Sequence, residues 1–339
     1  MVNIKGYLSS HFSKSFLTIF LPFFLIISLV YLVRIAALTA KIQISFPELL
    51  LLYSYSIPDI VFYTLPLSFV TALANALIRL SQDNELIALY ALGLKAKNVL
   101  GTMLVLGVLF SLLLLSISFL AMPLSKQFYK AFKEEKQAQA KLNIIPGKLG
   151  QKFGNYYVYV KEKEGTLLKD IVIYNRTDKN NEQFFSSQTG KIQNNPSGAS
   201  LLLRDGYGYT YSQTKLQQAQ YKTLEVYDSS HKNGFEFEEI AAYWAQAKTD
   251  PQWMRKILFF VFVSLIPLLS VYPIASFSMI NPRYESNRSF LVVFSTALVL
   301  YVMASSLSKW GTPLVLVLTL GFIIVGGRWL FSQRVSRYF

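Results

Sequence analysis

Six stretches of this chain are apolar over the thickness of a bilayer: residues 16–38, 57–78, 99–124, 257–280, 289–308 and 311–331. An α-helix rises about 1.5 Å per residue, so roughly 20 apolar residues cross a hydrocarbon layer of about 30 Å. With 53% hydrophobic and only 15% charged residues, a soluble fold would need an improbably large core to hide such runs. They predict an α-helical membrane protein with six transmembrane helices. Pro22, Pro58, Pro66, Pro267 and Pro273 interrupt the runs, which a membrane bundle tolerates because neighbouring helices and water re-satisfy the freed carbonyls. The first run is longer than the about 7–15 apolar residues of a cleavable secretion signal, so it is expected to remain as a span.

Orientation follows from the short loops. Lys5, Lys14, Arg79, Lys95, Lys97, Arg283, Arg288, Arg328, Arg334 and Arg337 fall on one side, against Lys41 and Lys309 on the other. The positive-inside rule then predicts cytoplasmic termini. The formal net charge of +14 is partly this topology signal and partly attraction to anionic headgroups. Basic residues dispersed among loops argue against nucleic acid as a partner.

With both ends inside, the hydrophilic insert 125–254 is expected outside, dividing the chain into a first membrane half (1–124), an outer domain, and a second membrane half (255–339). The insert opens on a helical lead-in, "LSKQFYKAFKEEKQAQAKLN", and continues as short alternating runs such as "NYYVYVKE", "KDIVIYN", "EQFFSSQ", "ASLLLRD", "YGYTYSQ" and "AQYKTLEVYD". Aromatic and β-branched residues at a spacing of two predict an inserted all-β domain, a sandwich or open barrel, with hairpin turns at "EKEG" and "RDGYG". Its 18 basic and 14 acidic residues nearly balance. That is no polyanion trap.

The sequence lacks a phosphate loop, an H-E-x-x-H pair and a G-x-S-x-G elbow, and Gly206-Tyr207-Gly208 lacks the third glycine of a dinucleotide site. There is no cysteine, and the two histidines, His11 and His231, are far apart in sequence. Neither metal binding nor intrinsic catalysis is expected.

Between the second and third runs lies "RLSQDNELIALYALGLKAKN", residues 79–98. Leu80, Leu86, Ile87, Tyr90 and Leu94 fall at helical spacing, broken by Asp83, Asn84, Glu85, Lys95 and Lys97. Surface-resting helices favour Lys and Arg on the polar face. This one presents "QDNE", which suits a protein socket better than an anionic lipid surface, the other reading being a helix resting on the inner headgroups with its charges solvated.

"DNELIALYALGL" resembles the S-E-x-x-x-M-x-A-x-G segment of the LptF/LptG permeases, the membrane subunits of the ATP-driven lipopolysaccharide exporter. Asn84 and Leu89 depart from the Ser and Met common there. The order of three spans, β-jellyroll and three spans is similar over nearly the whole length, and "YLVRIAAL" and "MINPRYESNR" resemble the LptF branch more. The resemblance implies a coupling helix in which Glu85, flanked by Asp83, Asn84, Leu86, Leu89 and Gly93, engages an LptB-type ATPase dimer. Hydrolysis of ATP with Mg would belong to that partner, so this subunit is expected to bind no cofactor and to be no enzyme itself. It implies further partners: a homologous permease of the LptG (or LptF) type, an LptC-type jellyroll protein, and lipopolysaccharide. The expected location is the bacterial inner membrane.

Arg34 stands about 27 Å along the first span counted from Phe16, near its outer end. It either snorkels to outer headgroups or faces a lateral cavity, where a guanidinium takes two phosphate oxygens at once. Resemblance favours the cavity, with Lys41 and Lys309 as further substrate contacts and Asp59 as a pairing partner for one of them. Tyr157, Tyr159, Phe184, Phe185, Tyr207 and Tyr209 are candidates for an apolar lipid track inside the outer domain; sandwich core is the other reading of the same pattern. The rival classes are a membrane receptor or scaffold with a ligand-binding outer domain, which predicts a cytoplasmic output module, and an ion-coupled transporter, which predicts ionisable residues at mid-bilayer.

Overall fold

The computed structural model describes residues 4–39, 44–142, 144–153, 155–178, 181–195, 198–212, 215–227, 236–279 and 289–337. Lys41, His231 and residues 280–288, which carry Arg283, Arg288 and most of "MINPRYESNR", lie outside them. Among the described residues, six helices are long and apolar enough to cross a membrane. The chain divides into two compact units, one of Met1–Ala36, Leu50–Phe128 and Glu238–Phe339, the other of Ala37–Leu49 and Tyr129–Phe237.

In the first unit, α1 (Ile4–Thr39) and α2 (Phe46–Gln82) run unbroken through their prolines. A short α3 (Glu85–Ala91) follows, then α4 (Ala96–Ser116). The third apolar run does not stop at residue 124, because a π-turn at Ile117–Ala121 passes α4 into α5 (Met122–Leu142). A π-turn leaves backbone carbonyls without helical partners. Here the Trp244 indole N–H, on α6 (Ile240–Ala245), donates to the Phe119 carbonyl at 3.0 Å. Two later helices begin with proline at the first turn, where a missing N–H costs nothing: α7 (Pro251–Ser278) capped by Asp250, and α9 (Pro313–Phe331) capped by Thr312. Between them stands α8 (Ser289–Trp310).

The bundle core is built on α2, α4 and α7, whose apolar side chains form one buried cluster with Leu8 and Phe12 of α1. Small residues let α4 and α7 approach closely. A Cβ on Gly107 would lie 3.1 Å from Val271 Cγ2 and 3.2 Å from Leu268 Cα, and Ser111 Oγ accepts the Leu268 N–H at 3.3 Å. Lipid is as apolar as leucine, so close packing and hydrogen bonding hold such helices together rather than water exclusion.

The second unit contains a six-stranded antiparallel meander: β1 (Gln151–Phe153), β2 (Tyr156–Glu164), β3 (Leu167–Asp178), β4 (Asn181–Asn195), β5 (Gly198–Ser212) and β6 (Lys215–Tyr227). Strand order, which the sequence left open, is consecutive. The expected "EKEG" hairpin exists, turning at Gly165 with φ 60°. The expected turn at "RDGYG" does not, because "ASLLLRD" and "YGYTYSQ" join as the single strand β5. Asp205 takes φ 52° there, and Asp170 takes φ 50° in β3. Each of these left-handed residues shifts the in/out alternation by one. Leu168 and Ile171 are therefore buried on one face, as are Leu203 and Gly206. A turn signal in a long strand is thus spent on a bend.

Candidate functional site

At the end of the bundle that holds the first residues of α1, residues 79–98 do not form one helix. Arg79–Gln82 finish α2, and Asn84 breaks the chain with φ 60°, ψ 11°. Asn tolerates this left-handed region better than most residues, which gives Asn84 a conformational role in place of a side-chain cap. Gly93, at φ 86°, closes α3. Its N–H donates to the Tyr90 carbonyl at 2.9 Å and that of Leu94 to the Leu89 carbonyl at 3.2 Å. This bond pair is a Schellman motif, sealed by apolar residues at its two ends.

The docking of α3 sorts its residues. Leu86 is buried in the bundle core, and Leu89 and Tyr90 pack against that core. Burial pushes the Tyr90 hydroxyl pKa well above its ordinary value. Asp83, Asn84, Ala88, Leu92 and Gly93 are exposed. Glu85 is half-buried at the start of α3, not near the middle of a longer helix, and its Oε2 accepts the Tyr7 hydroxyl of α1 at 2.7 Å. Tyr7 in turn leans on His11, with ring centroids 4.5 Å apart. One helical turn before the break, Ser81 Oγ donates to the Ser278 carbonyl at 3.0 Å, tying α2 to the end of α7.

The opposite end of the bundle gathers cations. Arg34 is exposed near the end of α1, within electrostatic reach of Asp59. Asp59 pairs not with Arg34 or Lys309 but with Lys126, Nζ to Oδ1 at 3.6 Å. Lys256 donates to the Tyr243 hydroxyl at 3.2 Å and lies 4.1 Å above the Trp253 ring. Lys126 lies 5.6 Å from the centre of the Phe260 ring. Arg255 reaches the Lys309 backbone carbonyl at 2.8 Å, leaving the Lys309 side chain exposed. Aromatic faces attract cations, so this end holds positive charge in place at the cost of one carboxylate.

Within the sheet, Tyr157, Tyr174, Phe184 and Tyr209 stand opposite one another across β2 to β5, and Tyr159, Val172, Ser186 and Tyr207 form the adjoining row. Directly paired residues share a face. That face is the one opposite the buried cluster of Val158, Val160, Ile171, Ile173, Leu201 and Leu203.

Residues 6–331 match the profile of one family, described as "Lipopolysaccharide export system permease LptF/LptG". The chain belongs to this family. No curated protein matches it significantly. The family profile does not separate LptF from LptG; with the six apolar helices, it makes the chain a multi-pass permease of lipopolysaccharide export.

In this LptF/LptG permease the predicted coupling residues divide. Glu85, Asp83, Asn84 and Gly93 lie together at the α3 surface, whereas Leu86 faces the core and is not available to a partner while α3 stays docked. Tyr7 and the 80%-exposed Leu92 were missed. Tyr7 sits in the first turns of α1, and no local spacing links it to a residue 78 positions away. At the other end, Lys126, Arg255 and Lys256 were missed because they border the insert and were counted with neither span nor short loop. Of the six aromatics assigned to a lipid track, only Phe185 packs on the buried face of the sheet; Tyr157, Tyr159, Phe184, Tyr207 and Tyr209 belong to the other. Alternation defines two faces, but when both carry large apolar residues it cannot say which one is covered.

Proposed function

We propose that this permease is the inner-membrane subunit through which a separate ATPase drives lipopolysaccharide out of the bilayer. An LptB-type dimer would grip α3 from the cytoplasm, a homologous permease would complete the cavity, and an LptC-type protein would receive the lipid outside. The observation that carries this reading is the reach of α1. It bonds to α3 through Tyr7 and Glu85 and continues as one helix past Arg34, about 40 Å further along. A pull on α3 therefore reaches the cationic end without crossing a loop. There Arg34, Lys126 and Lys309 offer charge for the phosphates of the lipid, and a guanidinium suits phosphate by its bidentate fork.

The outer domain supplies an exposed edge. Strand β6 is solvent-exposed over most of its length and has no partner beyond β5 among the described residues. Such an edge accepts a strand from another sheet, which supports edge-to-edge contact with the LptC-type jellyroll. The acyl chains would follow the buried face lined by Val158, Ile173, Phe185 and Leu201.

The test is co-purification with the ATPase, followed by lipid-stimulated turnover, for wild type, Glu85→Ala and Glu85→Lys. The reading expects loss of the complex or of stimulation in both variants. Unchanged values would refute it. A photo-crosslinker at Arg34 in transporting vesicles should label lipopolysaccharide; labelling of bulk phospholipid alone would make Arg34 a snorkelling residue.

A further inference from the structure

Between the first turns of α1 and the first three turns of α4 lies a groove of about 1020 Å³. It exists because the two helices meet only higher up, where Phe12 and Phe16 pack on Phe110 with ring centroids 5.9 and 4.9 Å apart. Its floor is kept open by Gly101, where a Cβ would meet nothing within 4 Å.

The lining is graded. Lys5 and Ser9 of α1 and Lys97, Asn98 and Thr102 of α4 form its polar end, the mouth, and Leu106 with the 60%-exposed Val105 its apolar end, about 12 Å further along α4. Both lysines are exposed, and neither has an ion-pair partner among the described residues. Glu85, one of the few carboxylates at this end, already holds Tyr7. Two uncompensated ammonium groups above an apolar wall match an amphiphile with an anionic head. A soluble anion would use the mouth and leave the wall bare.

We propose that this groove binds a phospholipid with a net negative headgroup, its phosphate between Lys5 and Lys97 and its glycerol and first acyl carbons against Gly101 and Val105. The site is separate from the cationic end that carries Arg34. It joins the helix to which Glu85 is bonded with the helix that leaves α3, so an occupied groove braces both flanks of α3. Assignment to the cytoplasmic leaflet rests on the orientation in the proposed function; the binding itself does not.

The full-length chain in detergent is titrated with phosphatidylglycerol and, separately, with phosphatidylcholine of the same acyl length, and bound lipid is counted by native mass spectrometry. Wild type should retain phosphatidylglycerol over phosphatidylcholine. The double variant Lys5→Glu/Lys97→Glu should weaken this by about tenfold or more, Lys5→Arg/Lys97→Arg should keep it, and Lys95→Glu, at an exposed residue that does not line the groove, should leave it unchanged. Gly101→Leu fills the floor and should exclude the lipid while the fold, followed by thermal unfolding, is preserved. Equal retention of both lipids, or retention by the double variant, overturns the proposal. So does displacement of lipid by millimolar inorganic phosphate with Gly101→Leu silent, which would assign the mouth to free phosphate. If the double variant keeps the lipid and loses the co-purifying ATPase, the groove is a protein contact and the proposal falls. Orientation is read separately. The chain has no cysteine, so Lys5→Cys labelled from outside intact cells by an impermeant maleimide would defeat the cytoplasmic assignment and leave the lipid titration standing.

Discussion

The two ends of the bundle treat a carboxylate in opposite ways. Asp59 sits against an ammonium, with Lys126 at 3.6 Å and the charges of Lys256 and Arg34 within reach. Glu85 is held by a neutral phenol, Tyr7, at 2.7 Å. A phenol fixes the position of a carboxylate without cancelling its charge, whereas an ammonium does both. Asp59 is therefore spent inside the structure, organising the cations around it. Glu85 is positioned yet electrostatically unused, as a group awaiting a cation from another chain would be.

The largest expected effect breaks this contrast at α3. Glu85→Lys should lower lipid-stimulated ATP turnover of the assembled complex by about tenfold or more, with little change in unfolding temperature, because the side chain is only half-buried. Glu85→Gln separates the two roles: it keeps an acceptor for Tyr7 and loses the charge, so it should share the defect of Glu85→Lys. Turnover like wild type in Glu85→Gln would mean that geometry alone matters. At the other end Asp59→Ala leaves Lys126 facing Lys256 without a counter-charge. Removing one partner of a fully buried pair costs about 3–5 kcal/mol. Lys126 is 39% exposed, so about 1–2 kcal/mol is expected after screening, read as a lower unfolding temperature in detergent. Asp59→Ala should be milder when combined with Lys126→Met, since the uncompensated cation is then gone.

How far these ends were legible differs for a physical reason. Membrane spans announce themselves because each needs about 20 apolar residues in a row, and the apolar runs indeed correspond to long helices. Charge at the span ends was half legible: Arg34 stands out within an apolar run, but Lys126 and Lys256 look like any residues bordering a hydrophilic insert. The Tyr7–Glu85 bond joins residues 78 apart, and a fold is needed to bring them together. In the sheet, strand existence followed from alternation, while Asp205 signalled a turn and made a bend. Gly206 explains why the bend works: a Cβ there would collide with the Ser186 carbonyl and the Tyr221 ring, whose hydroxyl donates to that carbonyl at 3.0 Å.

Smaller effects sharpen the comparison by testing what holds Glu85 in place. Gly93→Ala keeps open space around the new methyl but forces a left-handed residue at φ 86°, a cost of about 1–2 kcal/mol. The closing turn of α3 should fray, which hydrogen exchange at Gly93 and Leu94 would register. Tyr7→Phe removes one hydrogen bond to a charged acceptor at an exposed site. It should cost under about 1 kcal/mol in stability and still lower stimulated turnover, because Glu85 is then free to swing. A Tyr7→Phe chain with full stimulation would remove the tether from the mechanism.

Glu225 in the sheet is a third kind of carboxylate and gives the smallest effect. It accepts Ser200 Oγ at 2.6 Å and the Tyr227 hydroxyl at 2.8 Å. These two donors favour its charged form and hold its pKa below the ordinary carboxylate value, with the Ser200 bond the larger cause. A lowered pKa means that the folded state releases this proton more readily than the unfolded chain. The stabilisation is therefore complete above the ordinary carboxylate pKa and is lost as pH falls through the lowered one. The Glu225 bond raises the Tyr227 pKa, so its contribution is full below the ordinary phenol pKa and fades as pH rises through the raised value. Between these limits hydrogen-exchange protection at the β5–β6 ladder, referenced at each pH to Ser200→Ala, should be flat, with a decline toward acid that Ser200→Ala lacks. Like Glu85, Glu225 is held by hydroxyls and keeps its charge. Unlike Glu85, it bridges neighbouring strands of one sheet, so its loss should loosen a ladder locally and leave coupling between the ends of the bundle untouched.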